Sequence, residues 1–282
     1  MLKRLIKGFR NKFNRFRLYY KNKDILNTNK ELKDIHRGKR CFIMGTGPSI
    51  KDQNLLKLKD EYVFVVNNFW RHPQFKDIQP KFFAYIDPAG YQKGDKSNYW
   101  SEQFFDNAEQ INQVPMTSFF HVKAHEVIQA NKLFDSHYVH YLSTDGFFKE
   151  NLKFNIDISR VIPNTKNVIV ACILIAVYMG FEEIYLLGCE HDFLAYPSNY
   201  EWSKHFYKTE DFDMKNPEDV KRYNLTVTSY ESAINHAGKL FQNYRILKMK
   251  LAKEKPKVKI YNATPNSFLD VFPFINFEDL NF

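Results

Sequence analysis

The stretch that decides the fold is Arg40–Ile50, RCFIMGTGPSI. Its first five residues predict a short buried β-strand. A glycine-rich turn follows the strand at once and consists of Gly45, Thr46, Gly47, Pro48 and Ser49. Glycines let the backbone approach a ligand closely, Pro48 suits a first helical turn, and Ser49 can cap it. We therefore predict a strand–turn–helix unit that holds a phosphate-bearing ligand at the N-terminus of the helix.

Polar residues at the ends of the next two predicted strands support a ligand at this turn. Asn67 and Asn68 follow one strand, and Asp87 follows the other. Ligands of open parallel sheets bind beyond the carboxyl ends of the strands, so these side chains should lie beside the glycine turn. Asn suits ribose hydroxyls or a base edge, although it also caps helices. The turn lacks the third glycine of a dinucleotide fingerprint and the lysine of a P-loop, so a ligand-free tight turn is the alternative.

Short β-branched and aromatic runs alternate with helical patterns along the chain. The predicted strands are Cys41–Met44, Tyr62–Val66, Phe82–Ile86, Tyr138–Leu142, Ile184–Leu187 and Val258–Tyr261. This alternation predicts an α/β fold with a mostly parallel sheet and helices on both faces, over residues 39–282. The apolar run Val168–Met179 predicts a buried helix, and Ile234–Ala252 predicts the last one. Residues 191–229 are polar and aromatic without a clear period, which predicts a lid insertion.

Residues 1–38 form a separate N-terminal segment with its own charge pattern. Nine of the first 23 residues are Lys or Arg and none is acidic, whereas the remaining 32 Lys and Arg balance the 32 Asp and Glu. This distribution does not predict a nucleic-acid-binding fold. Bulky apolar residues recur at helical spacing between the basic ones, so residues 1–23 predict a basic amphipathic helix that binds an anionic membrane surface. The alternative is a helix packed on its own domain with a solvated basic face.

Three cysteines, Cys41, Cys172 and Cys189, fit buried free thiols in a reducing compartment. No run reaches the ~20 apolar residues that span a bilayer. Charges interrupt the N-terminal apolar residues, so a cleaved signal peptide is not expected. We therefore expect a cytoplasmic protein that is peripheral at the inner face of the cytoplasmic membrane.

Five motifs occur in order within residues 39–273: GTGPSI, VVNNFW, YIDPAGY, ACILIAVYMGFEEIYLLGCEHDF and IYNATPNSFL. Together they resemble the bacterial CMP-sialic acid-dependent sialyltransferases and related proteins encoded with surface-polysaccharide genes. The motifs do not separate a sialyltransferase from a relative that uses another sugar, or from a pterin pyrophosphokinase-like branch. The resemblance implies a single Rossmann-like domain with a lid. It also implies inverting, metal-independent transfer of a nonulosonic acid, such as sialic acid, from a CMP-activated donor.

The resemblance also implies where the donor is bound. Asn67 matches a family Asn near the donor, and Asn68 stands where Gln is common. Thr46 and Asp87 stand where the family has Asn, and Glu190 where it has Asp. These departures from the family pattern keep the side chains polar, but they leave open which sugar and which nucleobase the donor carries.

The resemblance further implies a histidine general base and tyrosines that stabilise the leaving phosphate. Alignment back from IYNATPNS places His236 at the base position, and His205 is the competitor. A surface or capping role is the alternative for either histidine. Tyr196 and Tyr200 are the lid tyrosines that we expect to contact the phosphate, unless they pack on the core.

Two further motifs have both a structural and a functional interpretation. Glu190-His191-Asp192 has the composition of a divalent-cation site, but we do not favour metal use, because residues just past a strand often face solvent. Asn266 and Ser267 are expected at a helix start, where they cap the helix or contact the cytosine or ribose.

Three functions compete. The first is a glycosyltransferase that uses a CMP-sugar, requires no cofactor and acts on a glycan or glycolipid acceptor of the cell surface, as a possible homo-oligomer. The second is a magnesium-dependent pterin pyrophosphokinase-like enzyme with Asp87, Glu190 and Asp192 as metal ligands. The third is a non-catalytic membrane-associated scaffold.

Overall fold

A computed structural model of the chain describes residues 13–91, 99–192, 194–195, 205–207, 218 and 229–282. Within these residues, one sheet has eight strands in the order β6-β5-β4-β3-β2-β1-β7-β8, and every neighbouring pair is parallel. The strands are β1 Arg40–Met44, β2 Val63–Val66, β3 Phe82–Tyr85, β4 Thr117–His121, β5 Tyr138–Thr144, β6 Val161–Ile162, β7 Glu183–Leu187 and β8 Lys259–Asn262. The predicted α/β, Rossmann-like fold is therefore confirmed.

Seven α-helical segments lie in the described part of the chain. They are α1 over residues 13–21, α2 Lys23–Asn27, α3 Phe75–Ile78, α4 Tyr99–Ile111, α5 His125–Asn131, α6 Val168–Met179 and α7 Tyr230–Glu254. Short 3-10 helices cover Thr28–Leu32, Pro48–Lys51, Leu55–Leu58, Phe69–Arg71, Pro88–Gly90, Val122–Ala124 and Phe277–Asp279. No helix among the described residues is long and apolar enough to cross a membrane.

The core lies on both faces of the sheet. Helix α6 is apolar all round because it is enclosed between the sheet and α7, where Tyr244 and Leu247 belong to the same buried cluster. On the other face, Phe42 of β1 and Phe104 of α4 belong to a second buried cluster. The three cysteines are buried and free, as predicted.

Helix α6 begins and ends where its sequence predicts. The Asn167 side chain caps it by accepting a hydrogen bond from the Ile169 N–H at 2.6 Å, and Gly180 ends it with φ 92°. The predicted last helix is also confirmed, and it is longer than predicted, because α7 begins at a Ser229 capping box.

Several local predictions were wrong. The glycine turn leads into a four-residue 3-10 helix and not into an α-helix, and Ser49 lies inside that helix without capping it. Strands β4 and β6 were not predicted. The helix expected at Asn266 and Ser267 is a turn in which Asn266 has φ 54°. In the N-terminal segment a turn at Asn22 separates α1 from α2. Most of the predicted lid lies outside the described residues.

Candidate functional site

A cavity of about 200 Å³ opens where the carboxyl ends of β1 and β7 meet. These neighbouring strands form the topological switch point, since β2 to β6 lie on one side of them and β8 on the other. Open α/β sheets bind their ligands at such a point. The cavity is lined by Gly45, Thr46, Gly47, Val66, Asn67, Asn167, Val168, Ile169, Gly188, Cys189, Glu190, His191, Asp192 and His205.

The Glu190 side chain occupies the inner side of the glycine turn. Its Oε1 accepts a hydrogen bond from the Ser49 backbone N–H at 2.7 Å. A Cβ on Gly47 would overlap the Glu190 carboxylate, so this position must be glycine for the carboxylate to fit. The N–H group that we predicted to hold a ligand phosphate therefore already bonds a protein anion. The dipole of a following α-helix, which we also predicted, is absent, because the glycine turn leads only into a four-residue 3-10 helix.

Glu190 is a buried carboxyl group with an incomplete set of partners. Only 8% of the residue is exposed, and burial raises the pKa of its carboxyl group. Its Oε2 atom and the Ser49 Oγ atom are both buried without a hydrogen-bond partner among the described residues. A group of this kind beside a cavity has the capacity to bond a ligand hydroxyl or amine.

The segment after β8 holds the backbone of Cys189 and Glu190 in place. Thr264 Oγ1 accepts from the Cys189 N–H at 3.0 Å, and Ser267 Oγ donates to the Cys189 carbonyl at 2.6 Å. The Phe268 N–H donates to the Glu190 carbonyl at 2.7 Å. Ser267 thus positions the cavity wall and does not line the cavity, and Asn266 is exposed.

His205 belongs to residues 205–207, a described part of the predicted lid segment, and contacts the glycine turn. Its Nδ1 lies 2.8 Å from Thr46 Oγ1, and the Phe206 N–H donates to the Thr46 carbonyl at 2.9 Å. Burial lowers the pKa of His205 to about 4, so its imidazole is neutral at pH 7 in this state. The neutral imidazole lines the cavity and has a ring nitrogen that can accept a proton, although a pKa of about 4 makes it a weak base in this state.

His191 also lines the cavity, but its ring is held by the protein. Nδ1 lies 3.0 Å from the Cys189 carbonyl, which requires Nδ1 to carry the proton. Nε2 then accepts from the Tyr244 hydroxyl at 3.0 Å. This pair of bonds ties the end of β7 to α7, which is a structural role.

The N-terminus of α6 faces the same cavity through Asn167, Val168 and Ile169. The sequence contained the signal for this, because an Asn directly before a long apolar run is an N-cap pattern, but Asn167 was not among the predicted site residues. The positive end of a 12-residue helix favours an anion here. The α-helix whose N-terminus lines this cavity is therefore α6, since only a 3-10 helix follows the glycine turn.

A second, larger cavity of about 610 Å³ adjoins the first and shares Asn67, Asn167 and Val168 with it. Asp87 lines this larger cavity, as do His121, Lys123 and Lys166. The predicted grouping of Asn67 and Asp87 at one sheet edge therefore agrees with the structure.

Two predicted site residues lie elsewhere. Asn68 turns away from both cavities, and its Nδ2 donates to Gln103 Oε1 of α4 at 3.3 Å. His236 is half-buried on α7, where burial, Lys166 and Lys239 lower its pKa, and it lines neither cavity. Tyr196 and Tyr200 lie outside the described residues, so their roles stay predictions.

Carboxylates do not converge on a metal site in the described part of the chain. Glu190 and Asp192 line the smaller cavity and Asp87 the larger one. Among the residues that the structure describes, no group of three His, Cys, Asp or Glu side chains is arranged to hold a metal ion.

We expect the melting temperature to fall as the pH is lowered from 6.5 towards 4. Burial lowers the pKa of His121, His191 and His205 to about 4, whereas histidines of the unfolded chain titrate near 6.5. Unfolding therefore binds protons in this window, and acid favours the unfolded state. The raised pKa of Glu190 has the opposite effect on stability as the pH falls, but it is a single group, whereas three histidines have a pKa lowered to about 4.

Thermal unfolding followed by circular dichroism from pH 7.5 to pH 4.5 checks this expectation. His205→Gln removes one of the three buried imidazoles and should make the pH dependence shallower. A melting temperature that stays constant or rises between pH 6.5 and 4.5 would contradict it.

Comparison with known proteins gives two matches. The model of the family described as "6-hydroxymethylpterin diphosphokinase MptE-like" matches residues 16–195. No curated protein matches the chain. A solved structure, the MAf glycosyltransferase from Magnetospirillum magneticum AMB-1, is similar at 15% identity with a TM-score of 0.48. That alignment covers 92% of this chain but only 39% of the other, so this chain spans less than half of that protein's length.

Proposed function

The chain belongs to the 6-hydroxymethylpterin diphosphokinase MptE-like family, and on that premise we propose that it is a nucleotide-dependent transferase. The observation that carries the proposal is the switch-point cavity, where the α6 N-terminus, the glycine turn and His205 meet. We further propose that the group transferred is a sugar, from a CMP-activated donor to a glycan acceptor. The five sequence motifs that resemble sialyltransferases support this choice.

The two adjoining cavities suit the two ends of such a donor. The phosphate lies at the N-terminus of α6, where the helix dipole offsets its charge. Asn67 lines both cavities and contacts the ribose or the base. The buried Oε2 of Glu190 accepts a hydrogen bond from a donor hydroxyl, which would satisfy its missing partner.

His205 is the general base of the proposed reaction. The Thr46 Oγ1–His205 Nδ1 contact is compatible with either tautomer of the ring, and we take the one in which Nδ1–H donates to Thr46 Oγ1 and Nε2 accepts a proton. The acceptor hydroxyl gives its proton to Nε2 while its oxygen attacks the anomeric carbon, and the bond to CMP breaks on the opposite face. The charge that develops on the leaving phosphate is stabilised by the α6 N-terminus. Tyr196 and Tyr200 remain the predicted lid contacts of that phosphate.

A second candidate is transfer of diphosphate to a pterin, which the description of the family favours. This reaction uses a nucleotide with magnesium, and the sequence offers Asp87, Glu190 and Asp192 for the metal. In the described residues these carboxylates are divided between two cavities and do not form a three-ligand set. We therefore assign these carboxylates no role in this reaction.

A thermal-shift panel separates the candidates. We expect CMP, CDP or CTP at about 100 times Kd to raise the melting temperature by roughly 5–10 °C, while adenine nucleotides with magnesium do not. A shift with ATP, magnesium and 6-hydroxymethylpterin but none with cytidine nucleotides would replace the first candidate with the second. No shift with any nucleotide, together with no turnover of CMP-sugars, would favour a scaffold.

A further inference from the structure

Helix α1 presents three exposed aromatic side chains on one face. Phe13, Phe16 and Tyr20 are 66%, 59% and 55% exposed, and their spacing of three and four residues places them side by side. The Phe16 and Tyr20 rings touch, with centroids 4.2 Å apart. A contiguous aromatic surface on a helix is a sign of an interaction site, unlike isolated exposed apolar residues. These three side chains are called the aromatic face of α1 below.

The opposite face of α1 is fixed to the domain. The Arg15 guanidinium donates to the Val161 carbonyl of β6 at 2.6 Å. The Arg160 guanidinium lies 4.5 Å from the centre of the Tyr19 ring, in a cation–π contact. Because α1 is anchored through Arg15 and Tyr19, its aromatic face points away from the domain. One helix can therefore pack on its own domain through one face and bind a membrane through the other, so the two interpretations of the sequence do not exclude each other.

The basic side chains beside the aromatic face indicate what kind of surface it binds. Arg17 and Lys21 are exposed on α1 beside it, and the first 23 residues contain nine basic and no acidic side chains. Aromatic side chains bordered by lysine and arginine suit the interface of an anionic bilayer, where the rings enter the headgroup region and the cations pair with lipid phosphates. We propose that the aromatic face of α1 docks the protein on an anionic lipid surface.

The docked orientation has a consequence for the site. Leu18 follows Arg15 by three residues, on the domain-facing side of α1, and lines the larger cavity together with Asn67 and Asp87. Docking through the aromatic face therefore leaves one helix diameter, ~10 Å, between the lipid surface and this cavity. Resting on the proposed function, the acceptor of the reaction is a glycan carried by a lipid in that surface.

Vesicle binding by the full chain tests the docking surface without any need for turnover. We expect co-sedimentation with vesicles of phosphatidylcholine and phosphatidylglycerol, and much less with phosphatidylcholine alone. The triple variant Phe13→Ser, Phe16→Ser, Tyr20→Ser should bind the anionic vesicles at least tenfold more weakly. The matched control is Tyr138→Ser with Phe147→Ser, which removes aromatic side chains 79% and 71% exposed elsewhere and should bind like the unmodified protein.

A charge variant tests the electrostatic part. The double variant Arg17→Gln, Lys21→Gln should bind anionic vesicles more weakly, and its binding should depend less on salt concentration. The control is the double variant Lys255→Gln, Lys257→Gln at the exposed end of α7, which should bind like the unmodified protein. Equal binding to neutral vesicles, or unchanged binding by the triple variant, would overturn the proposal. A triple variant that instead dissociates a dimer seen by light scattering would assign the face to a second copy of the chain.

The failure of this inference is distinguishable from failure of the proposed function. The triple variant lies outside both cavities and should retain the melting-temperature shift with cytidine nucleotides. Loss of vesicle binding with an intact nucleotide shift supports docking through α1 and leaves the site unaffected.

Discussion

Gly45→Ala is expected to lower the free energy of unfolding by about 3 kcal/mol. An alanine Cβ at this position would overlap the Gly188 carbonyl oxygen and lie 2.9 Å from its carbonyl carbon and 3.2 Å from Cys189 Sγ. The Gly188 atoms belong to the backbone, which a rotamer change cannot move. Gly45 N also donates to the Leu187 carbonyl at 2.7 Å, so the two strand ends cannot separate without breaking this bond. The same contact shapes the cavity, so nucleotide binding should be lost as well.

Gly238→Ala is the matched control. This exposed glycine lies within α7, and an added Cβ would meet nothing within 4 Å. Alanine is the better helix former, so stability should rise by about 0.8 kcal/mol. Urea denaturation of both variants measures the two effects. Equal stability of Gly45→Ala and the unmodified protein would show that the ends of β1 and β7 are not packed as described.

His205→Ala is expected to lower kcat for sugar transfer by roughly 10²- to 10⁴-fold, the range for loss of a general base. In the ligand-free protein the pKa of His205 is about 4, which makes it a weak base. On the proposed function, a bound donor would change this, because its phosphate and sugar carboxylate would favour the protonated imidazole and raise the pKa of His205. We therefore expect His205 to be a stronger base with the donor bound than without it.

His236→Ala is the informative comparison, because the sequence resemblance assigns the base to this residue. His236 lines neither cavity, and Lys166 and Lys239 lower its pKa. We expect its substitution to change kcat by less than fivefold, a loss of under ~1 kcal/mol. Single-turnover rates with a CMP-sugar, with nucleotide binding checked by thermal shift, measure both variants. A large loss with His236→Ala and a small one with His205→Ala would reverse the assignment.

The strand, the glycine turn and the buried helix were all predictable, because each depends on a local pattern. The apolar strand of Arg40–Met44 and the run Val168–Met179 specify their own structure. Strand β4 was missed because its sequence, TSFFH, contains only two apolar residues, and β6 because it has only two residues in all. Such short strands are stabilised by their neighbours in the sheet and have little pattern of their own.

The candidate site was predictable only in part, because its details depend on pairing between distant segments. Asn67 and Asn68 are adjacent in sequence and equal in chemistry, yet Asn67 lines both cavities whereas the Asn68 side chain bonds Gln103 of α4. The segment after β8 was predicted as a helix start. In the structure Asn262 Oδ1 accepts from the Thr264 N–H at 3.0 Å, and this side-chain bond stabilises a turn instead.

The Glu190 side chain, bonded to the glycine turn, is a competitor for any anion that binds there. A carboxylate that is tethered to the same chain has a high effective concentration at the Ser49 N–H, whereas free phosphate is dilute. A small anion that binds only at the turn must displace Glu190 and gains little in return. A ligand that also fills the larger cavity has additional contacts to offset that displacement. We therefore expect small inorganic anions to bind at the turn more weakly than ligands that also fill the larger cavity.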